Sequence, residues 1–283
     1  MKISQVIERI KGLYRGGDYL GIAFDEENTR DKVLYGENHL DDACTGIVTT
    51  CWATIDVIKE AHKKGANLLI VHESLFWNHG DKTGWLGGNQ VFQDKQKLLE
   101  DYGMVVWRNH DWVHSGFYLE NGQLVDGIFY GLTEKLGWTS YQDVAEPSLF
   151  HFPQQSLADL SQDMLDKLNL SGLRMVGHSE QSISKVYLGL HAFGQDNDLI
   201  TKLADEAVDI VILLEMVEFG VAQYAYDSQG SASKTAILSV GHFNAEEPGM
   251  AYMADFLKER LPLTCPIDFV SSGELIQYVR RNA

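Results

Sequence analysis

The chain has 283 residues, 45% of them hydrophobic and 22% charged, with five prolines, which is the composition of an ordinary globular protein large enough for two domains or one large one. Forty acidic against 23 basic residues leave a formal net charge of −17, a field that repels nucleic acid and anionic membranes and leaves room for a small phosphate ligand only at a local cationic site or a bound metal. No apolar run nears the roughly 20 residues a membrane span requires, and the start of the chain lacks a signal-peptide core; three cysteines, Cys44, Cys51 and Cys265, at no metal-like spacing argue against a disulfide framework and for a reducing cytoplasm.

Ile3, Val6, Ile7 and Ile10 predict an opening helix that ends near Gly16-Gly17. The stretch to Asp42 reads as loop with short strands, and its Asp25-Glu26-Glu27 run as a solvated acidic loop. A βαβ pattern then begins. Gly46 to Thr50 is a strand, Ala53 to Lys64 a helix, and Gly65 stops that helix before the buried strand Ala66 to Glu73, which has His72-Glu73 at its end. A second helix is expected over Val91 to Tyr102. The strand Met104 to Trp107 follows and leads to His110-Asp111-Trp112-Val113-His114.

Between Asn121 and Ser184 the pattern is weaker, with helices expected at Phe129 to Leu136 and Ser156 to Leu168. The βαβ pattern returns with a strand at Lys185 to Leu190, a helix at Asp198 to Ala207 and a buried strand, Val208 to Leu214, ending in Glu215. Ala236 to Val240 is a further strand, leading to His242 and, four residues on, Glu246. A helix from Gly249 to Leu261 with Pro248 in its first turn, a strand at Ile267 to Val270 and a short helix at Leu275 to Val279 close the chain. Glu73 and Glu215 occupy matching strand ends, as do the pairs His110/His114 and His242/Glu246. An internal duplication is one reading of this; the ordinary likeness of two βαβ units is the other. The fold class is α/β in either case.

Imidazole and carboxylate are the donors of zinc, iron, manganese and nickel sites, and two neighbouring ions need a bridging carboxylate and several terminal ligands. Three clusters at strand ends, His72-Glu73, His110-Asp111 with His114, and His242 with Glu246, supply seven candidates, a number suited to two divalent ions. Any one of them alone would more often be structural. Glu73, Asp111 and Glu215 are the candidate acid/base groups, with Glu215 also open to a ligand or structural role. His79 and Asp81 lie near enough to line a site but read as a flexible polar loop; His39, His62, His151, His178 and His191 are assigned no function. Trp77, Trp85 and Trp107 read as core and rim packing rather than a base-stacking platform. The chain contains no Walker loop, GxGxxG, GxSxG, HExxH or CxxC motif.

Ile70-Val71-His72-Glu73-Ser74-Leu75-Phe76-Trp77, followed far downstream by Gly241-His242-Phe243-Asn244-Ala245-Glu246, resembles the NIF-three-like proteins, a dinuclear-metal family often described as type 2 homologues of GTP cyclohydrolase I. The resemblance covers about Thr45 to Phe269. It implies two interlocked α/β domains, with the metal pair in the cleft between them and six chains in a toroidal homohexamer. The expected first domain comprises residues 1–125 and 236–283, the second 126–235. The family's first motif is commonly His-His, where this chain has His72-Glu73; its middle motif commonly has Asp four residues after His, where this chain has His114 and places Asp111 beside His110. The last motif matches in His242 and Glu246. The activity so implied is metal-dependent hydrolysis of a nucleotide or related phosphate ester, with Glu73 or Glu246 bridging the ions and Asp111 or Glu215 moving the proton. The alternative is a metal-binding oligomeric scaffold or regulatory protein without turnover.

Overall fold

The computed structural model describes residues 1–25, 27–192 and 194–279, so Glu26 of the acidic run lies outside the described residues. In chain order the elements are α1 (Ile3–Lys11), β1 (Val33–Tyr35), β2 (Ile47–Thr50), α2 (Ile55–Lys63), β3 (Leu68–Val71), α3 (Gln90–Asp101), β4 (Val105–Arg108), α4 (Asp111–Ser115), β5 (Phe117–Tyr118), β6 (Leu124–Val125), α5 (Gly127–Leu136), β7 (Leu149–Ser156), α6 (Leu157–Leu168), β8 (Arg174–Val176), β9 (Ser182–Leu190), α7 (Asp196–Asp205), β10 (Ile210–Leu213), α8 (Val221–Ser228), β11 (Ala236–Ser239), α9 (His242–Arg260) and β12 (Ile267–Phe269). Two compact units result, Met1–Gly131 with Glu246–Gly273 and Leu132–Ala245 with Glu274–Ala283. The chain passes from the first to the second within α5, back within α9, and once more after Gly273.

In the first unit the strand order is β1-β4-β3-β2-β12, parallel except for β1 at the edge. Every residue of β2, β3 and β4 is buried, because helices cover both faces of the sheet. Leu68, Ile70, Val105 and Trp107 pack with Ile3, Val6, Ile7 and Ile10 of α1 and with Met250, Met253 and Leu257 of α9. Leu69, Val71 and Val106 face the opposite way, onto Val57, Ile58 and Ala61 of α2 and Phe92 and Leu99 of α3. Helix starts are fixed locally: Thr54 Oγ1 accepts from Val57 N at 3.0 Å and Asn89 Oδ1 from Phe92 N at 3.0 Å. The crossing of α5 and α9 relies on glycine. A Cβ on Gly249 would stand 2.5 Å from Ile128 Cα, and one on Gly131 would stand 2.6 Å from Gly249 Cα, so the backbones meet where no larger residue fits.

In the second unit the order is β7-β9-β10-β11-β8, with β9, β10 and β11 parallel and both edges antiparallel. Val211, Leu213 and Ile237 pack against Leu199 and Leu203 of α7 and Val221, Ala222 and Ala225 of α8. Each unit thus contains the same core, three successive parallel strands joined by two helices, with an antiparallel strand beside the last in the first unit's β4 and the second unit's β11.

The α/β expectation holds, with local differences. Strand β7 was hidden by Pro153; the ladder with β9 shifts register between His151 and Gln155, the irregularity that a residue lacking an N–H brings. Helix α9 begins at His242 and contains Pro248 rather than starting behind it. Leu275 to Val279 is not helical. Tyr278 Oη instead donates to Gly172 O at 2.9 Å and Glu274 accepts from Ser171 N, which ties down a segment whose five residues could not sustain a helix alone. Trp107 is buried, whereas Trp77 and Trp85 are exposed. Among the described residues no helix is long and apolar enough to cross a membrane.

Candidate metal centre

The side-chain alternation of β3 extends past its last hydrogen-bonded residue. His72 follows Leu68 and Ile70 onto the face covered by α9, where Glu246 is carried on that helix. The His72 Nε2 to Glu246 Oε2 separation is 3.6 Å, and the side chains are 0% and 1% exposed. Glu73 turns to the other side and meets Arg108, the last residue of β4, at 3.2 Å. Arg108 is fully buried and also donates to the carbonyls of His72 (3.1 Å) and His79 (2.8 Å) and to Asp81 Oδ2 (3.0 Å). His79 Nδ1 lies 3.5 Å from Glu73 Oε2. The loop expected to be a flexible polar segment is therefore clamped by a buried guanidinium.

Past β4 the chain turns into α4, whose first amides are capped from outside. His110 N and Asp111 N donate to Asp31 Oδ1 (2.7 and 3.0 Å) and Trp112 N donates to Asp31 Oδ2 (2.8 Å), while Asn109 Oδ1 accepts from Val113 N at 3.1 Å. Burial raises the Asp31 carboxyl despite these three backbone donors. The result is a rigid turn that sets His110 and His114 beside His72: the ring centroids of His72 and His110 are 4.6 Å apart and nearly parallel, and His114 lies 5.0 and 4.9 Å from them, edge-on.

Each of these three imidazoles is held at Nδ1 by an oxygen. His72 Nδ1 is 3.3 Å from the Asn109 carbonyl, His110 Nδ1 2.9 Å from Asp111 Oδ1, and His114 Nδ1 2.7 Å from Asp126 Oδ2. An acceptor at Nδ1 fixes the proton there and leaves Nε2 with its lone pair, the arrangement of metal-ligating histidines. Asp111 stands behind His110. Its oxygens accept from Thr29 Oγ1, Arg30 N and Arg30 Nη1 as well as from the imidazole, and although burial pushes its pKa up, His110 and Arg30 outweigh that and hold it well below the usual carboxylate range. Burial drives His110 down to about 3. For His114 burial acts downward too, but Asp126 prevails and raises it.

The donor set fits a divalent ion. His72, His110 and His114 offer atoms within 4.8 Å of one another, and so do His72, Glu73 and Glu246. His72 Nε2 is buried and has no hydrogen-bond partner among the described residues. Its 3.6 Å distance to a carboxylate oxygen is too long for a good hydrogen bond and close to the separation of about 3.3 Å between two ligands on one tetrahedral ion with 2.0–2.1 Å bonds. The buried carboxylates also leave a negative potential. Cys51, next after β2, is raised well above its ordinary value by burial and by Glu246, Glu73 and Glu247.

His242 and Glu215 are brought together in the second unit with His191. Glu215 Oε2 lies 3.1 Å from His191 Nδ1 and Oε1 makes a short contact with His242 Nδ1. Burial raises Glu215, but the two imidazoles bring it down to about 2. Sequence reasoning passed over His191, Arg108, Asp31 and Asp126. His191 is the residue directly after the apolar strand β9, the criterion that selected the other histidines, and Arg108 ends an otherwise apolar strand, a buried charge that requires partners.

The comparisons with known proteins agree with this architecture. A curated relative from Clostridium acetobutylicum, described as a GTP cyclohydrolase 1 type 2 homolog, is 22% identical over 274 residues, covering 92% of this chain and 94% of the relative. The crystal structure of Staphylococcus aureus hypothetical protein SA1388 superimposes with a TM-score of 0.70 at 16% identity, covering 99% of both chains. That of a Bacillus cereus protein related to NIF3 does so with a TM-score of 0.70 at 13% identity, again over 99% of both. The model of the Duf34/NIF3 (NGG1p interacting factor 3) family matches residues 107–274, a span that contains His110, His114, Glu215, His242 and Glu246 and more than half of the chain. The chain belongs to the Duf34/NIF3 family.

Proposed function

We propose that the first unit binds a pair of divalent ions through His72, Glu73, His110, His114 and Glu246, and that the loaded protein is a hydrolase acting on a nucleotide or another phosphate-containing small molecule. The observation that carries the reading is the set of three histidines, each braced at Nδ1 by an oxygen, converging with a buried carboxylate 3.6 Å from His72 Nε2. The two donor groups share His72, and the Glu73 or Glu246 carboxylate is the group able to bridge two ions. Zinc, iron, manganese and nickel all suit such imidazole and carboxylate donors.

When bound, such a pair lowers the pKa of a coordinated water and polarises the group to be cleaved. The chain's own contributions are positional. Arg108 holds the Glu73 carboxylate and the backbone of His72 and His79. Asp111 and Asp126 fix the rings of His110 and His114. His79, beside Glu73 and more than half exposed, is the residue placed to exchange a proton with solvent, a task the sequence alone gave to Asp111 or Glu215. The phosphate-bearing substrate is supported by the family resemblance and by the name of the Clostridium acetobutylicum relative. The same resemblance supports a homohexamer, which light scattering on the purified protein tests.

Burial of His72, Glu73 and Glu246 favours one other reading, a closed structural ion in a non-catalytic scaffold. Incubating the metal-loaded protein with GTP, other nucleotides and a generic phosphodiester, with and without chelator, separates the two. Chelator-sensitive turnover supports the hydrolase; bound metal with no turnover of any of these replaces it with the scaffold.

A further inference from the structure

Two of the three cysteines meet at the amino end of the first unit's sheet. Cys44 lies just ahead of β2 and Cys265 just ahead of β12, and these strands are parallel neighbours with Ile267 opposite Ile47. Carrying that register back sets Cys265 opposite Thr45 and so beside Cys44, although the two cysteines are 221 residues apart in the chain. Their sulfurs are 3.9 Å apart. Both thiols are free and partly buried, packed against the core that Ile3, Ile47 and Ile267 share; Cys51 is fully buried. At this junction Cys44 N donates to Met1 O at 2.9 Å and Ile47 N to Pro266 O at 2.9 Å, and β12 is a strand of three residues at the sheet edge.

We infer that Cys44 and Cys265 form a reversible disulfide when the chain meets an oxidant, fastening the edge strand β12 to β2 and to the start of the chain. At the ordinary spacing of parallel strands, about 4.8 Å, and an offset of one residue, about 3.3 Å, the two Cα atoms lie about 5.8 Å apart, inside the range of about 4.4–6.8 Å that a disulfide spans. The oxidant class is a small-molecule disulfide. Burial and the neighbouring Cys265 push the Cys44 thiol up to about 12, so Cys265 acts first: its thiolate attacks one sulfur of the oxidant, the oxidant's S–S bond breaks and one thiolate leaves. Cys44 then gives its proton to solvent and attacks the Cys265 sulfur, expelling the second thiolate. The two cysteines lose two electrons, the oxidant is reduced to two thiols, and the two cysteine protons balance those that the thiols take up. The new bond restricts the unfolded chain over a long loop and so favours the folded state. In a reducing compartment such a bond is transient and redox-sensing, unlike a permanent framework. Spacing along the chain conceals the pair because strand pairing creates it.

The test is thiol counting on the purified chain. Reduced protein, with and without treatment by oxidised glutathione, is unfolded in N-ethylmaleimide and its mass measured. The inference predicts three labels on the reduced chain, which has three cysteines, and a single label, on Cys51, after oxidation. A peptide map should link Cys44 to Cys265, and a thiol reductant should restore all three labels. The linked chain should run faster than the reduced one in denaturing electrophoresis and unfold at a thermal midpoint about 5–15 °C higher. Cys44→Ser, which cannot complete the exchange, should retain glutathione on Cys265. Three labels after oxidation, glutathione retained on the wild-type chain, or a link that includes Cys51 overturns the inference, and a formed link with an unmoved midpoint overturns the fastening of β12. These deciding measurements use the wild-type chain, so a variant that fails to fold does not leave the inference untested.

Discussion

Asp126 serves two structures at once, and replacing it with asparagine forces a choice between them. Its Oδ1 accepts from Ile128 N at 2.9 Å and Phe129 N at 3.2 Å, capping α5, while Oδ2 accepts from His114 Nδ1 at 2.7 Å. Asparagine has one oxygen. If it stays on the helix, the amide nitrogen faces His114, where it can only donate; Nδ1 must then accept, the ring proton moves to Nε2, and the metal-binding lone pair is lost. If the oxygen turns to His114, the amide opposes two backbone N–H groups and the cap fails. In the first case metal binding weakens by about 10–100-fold, equivalent to about 1.4–2.7 kcal/mol. In the second, folding stability falls by about 0.5–2 kcal/mol. Competition against a fluorescent chelator measures the first and urea denaturation of the apo protein the second. Asp126→Asn with wild-type metal affinity and wild-type stability would refute the argument.

Other outcomes follow from the same contacts. Glu246→Ala should lower the metal content of the reloaded protein by elemental analysis, since it removes the carboxylate opposite His72 Nε2. Arg108→Met should lower stability by about 3–5 kcal/mol in denaturant titration, because the Glu73 and Asp81 carboxylates lose a buried counter-charge; a loss under 1 kcal/mol would show that solvent or the loop compensates. His110 has a folded-state pKa of about 3, below the usual value of about 6.5, so between those two pH values the unfolded chain binds a proton that the folded one does not. Stability of the apo protein should therefore fall as pH drops from 6.5 towards 3, with a His110 contribution of at most about 1.4 kcal/mol per pH unit. Thermal unfolding of His110→Asn across this range should show a shallower slope, and an unchanged slope would remove His110 as the cause. Gly249→Ala should cost about 1–3 kcal/mol by forcing α5 and α9 apart, measurable in the same denaturant titration.

What could be read in the sequence was what periodicity encodes. The buried strands ending at Val71, Arg108, Leu213 and Ser239 stand out as apolar runs closed by glycine or polar residues, and the metal-type side chains just past them mark the carboxyl ends of parallel strands. Contacts between distant segments were not legible. Asp31 caps α4 across some 80 residues of chain, and nothing local distinguishes it from its acidic neighbours. Asp111 reads as a ligand because it adjoins His110, and nothing local announces that its oxygens also accept from Thr29 and Arg30, some 80 residues away. His191 could have been found by applying the strand-end criterion evenly. The turn into α9 misled for a different reason: Pro248 reads as a helix start, but here it lies within a helix whose first residues include His242 and Glu246.

The most direct measurement of the central claim is an anomalous-difference map from a crystal of the zinc-reloaded protein, recorded above the zinc edge. The account predicts two peaks bounded by the first-unit ligands, with Nε2 of His72, His110 and His114 and oxygens of Glu73 and Glu246 at about 2.0–2.2 Å from one or the other. A well-ordered crystal of loaded protein with these five side chains in place and no anomalous peak within reach of them would contradict it.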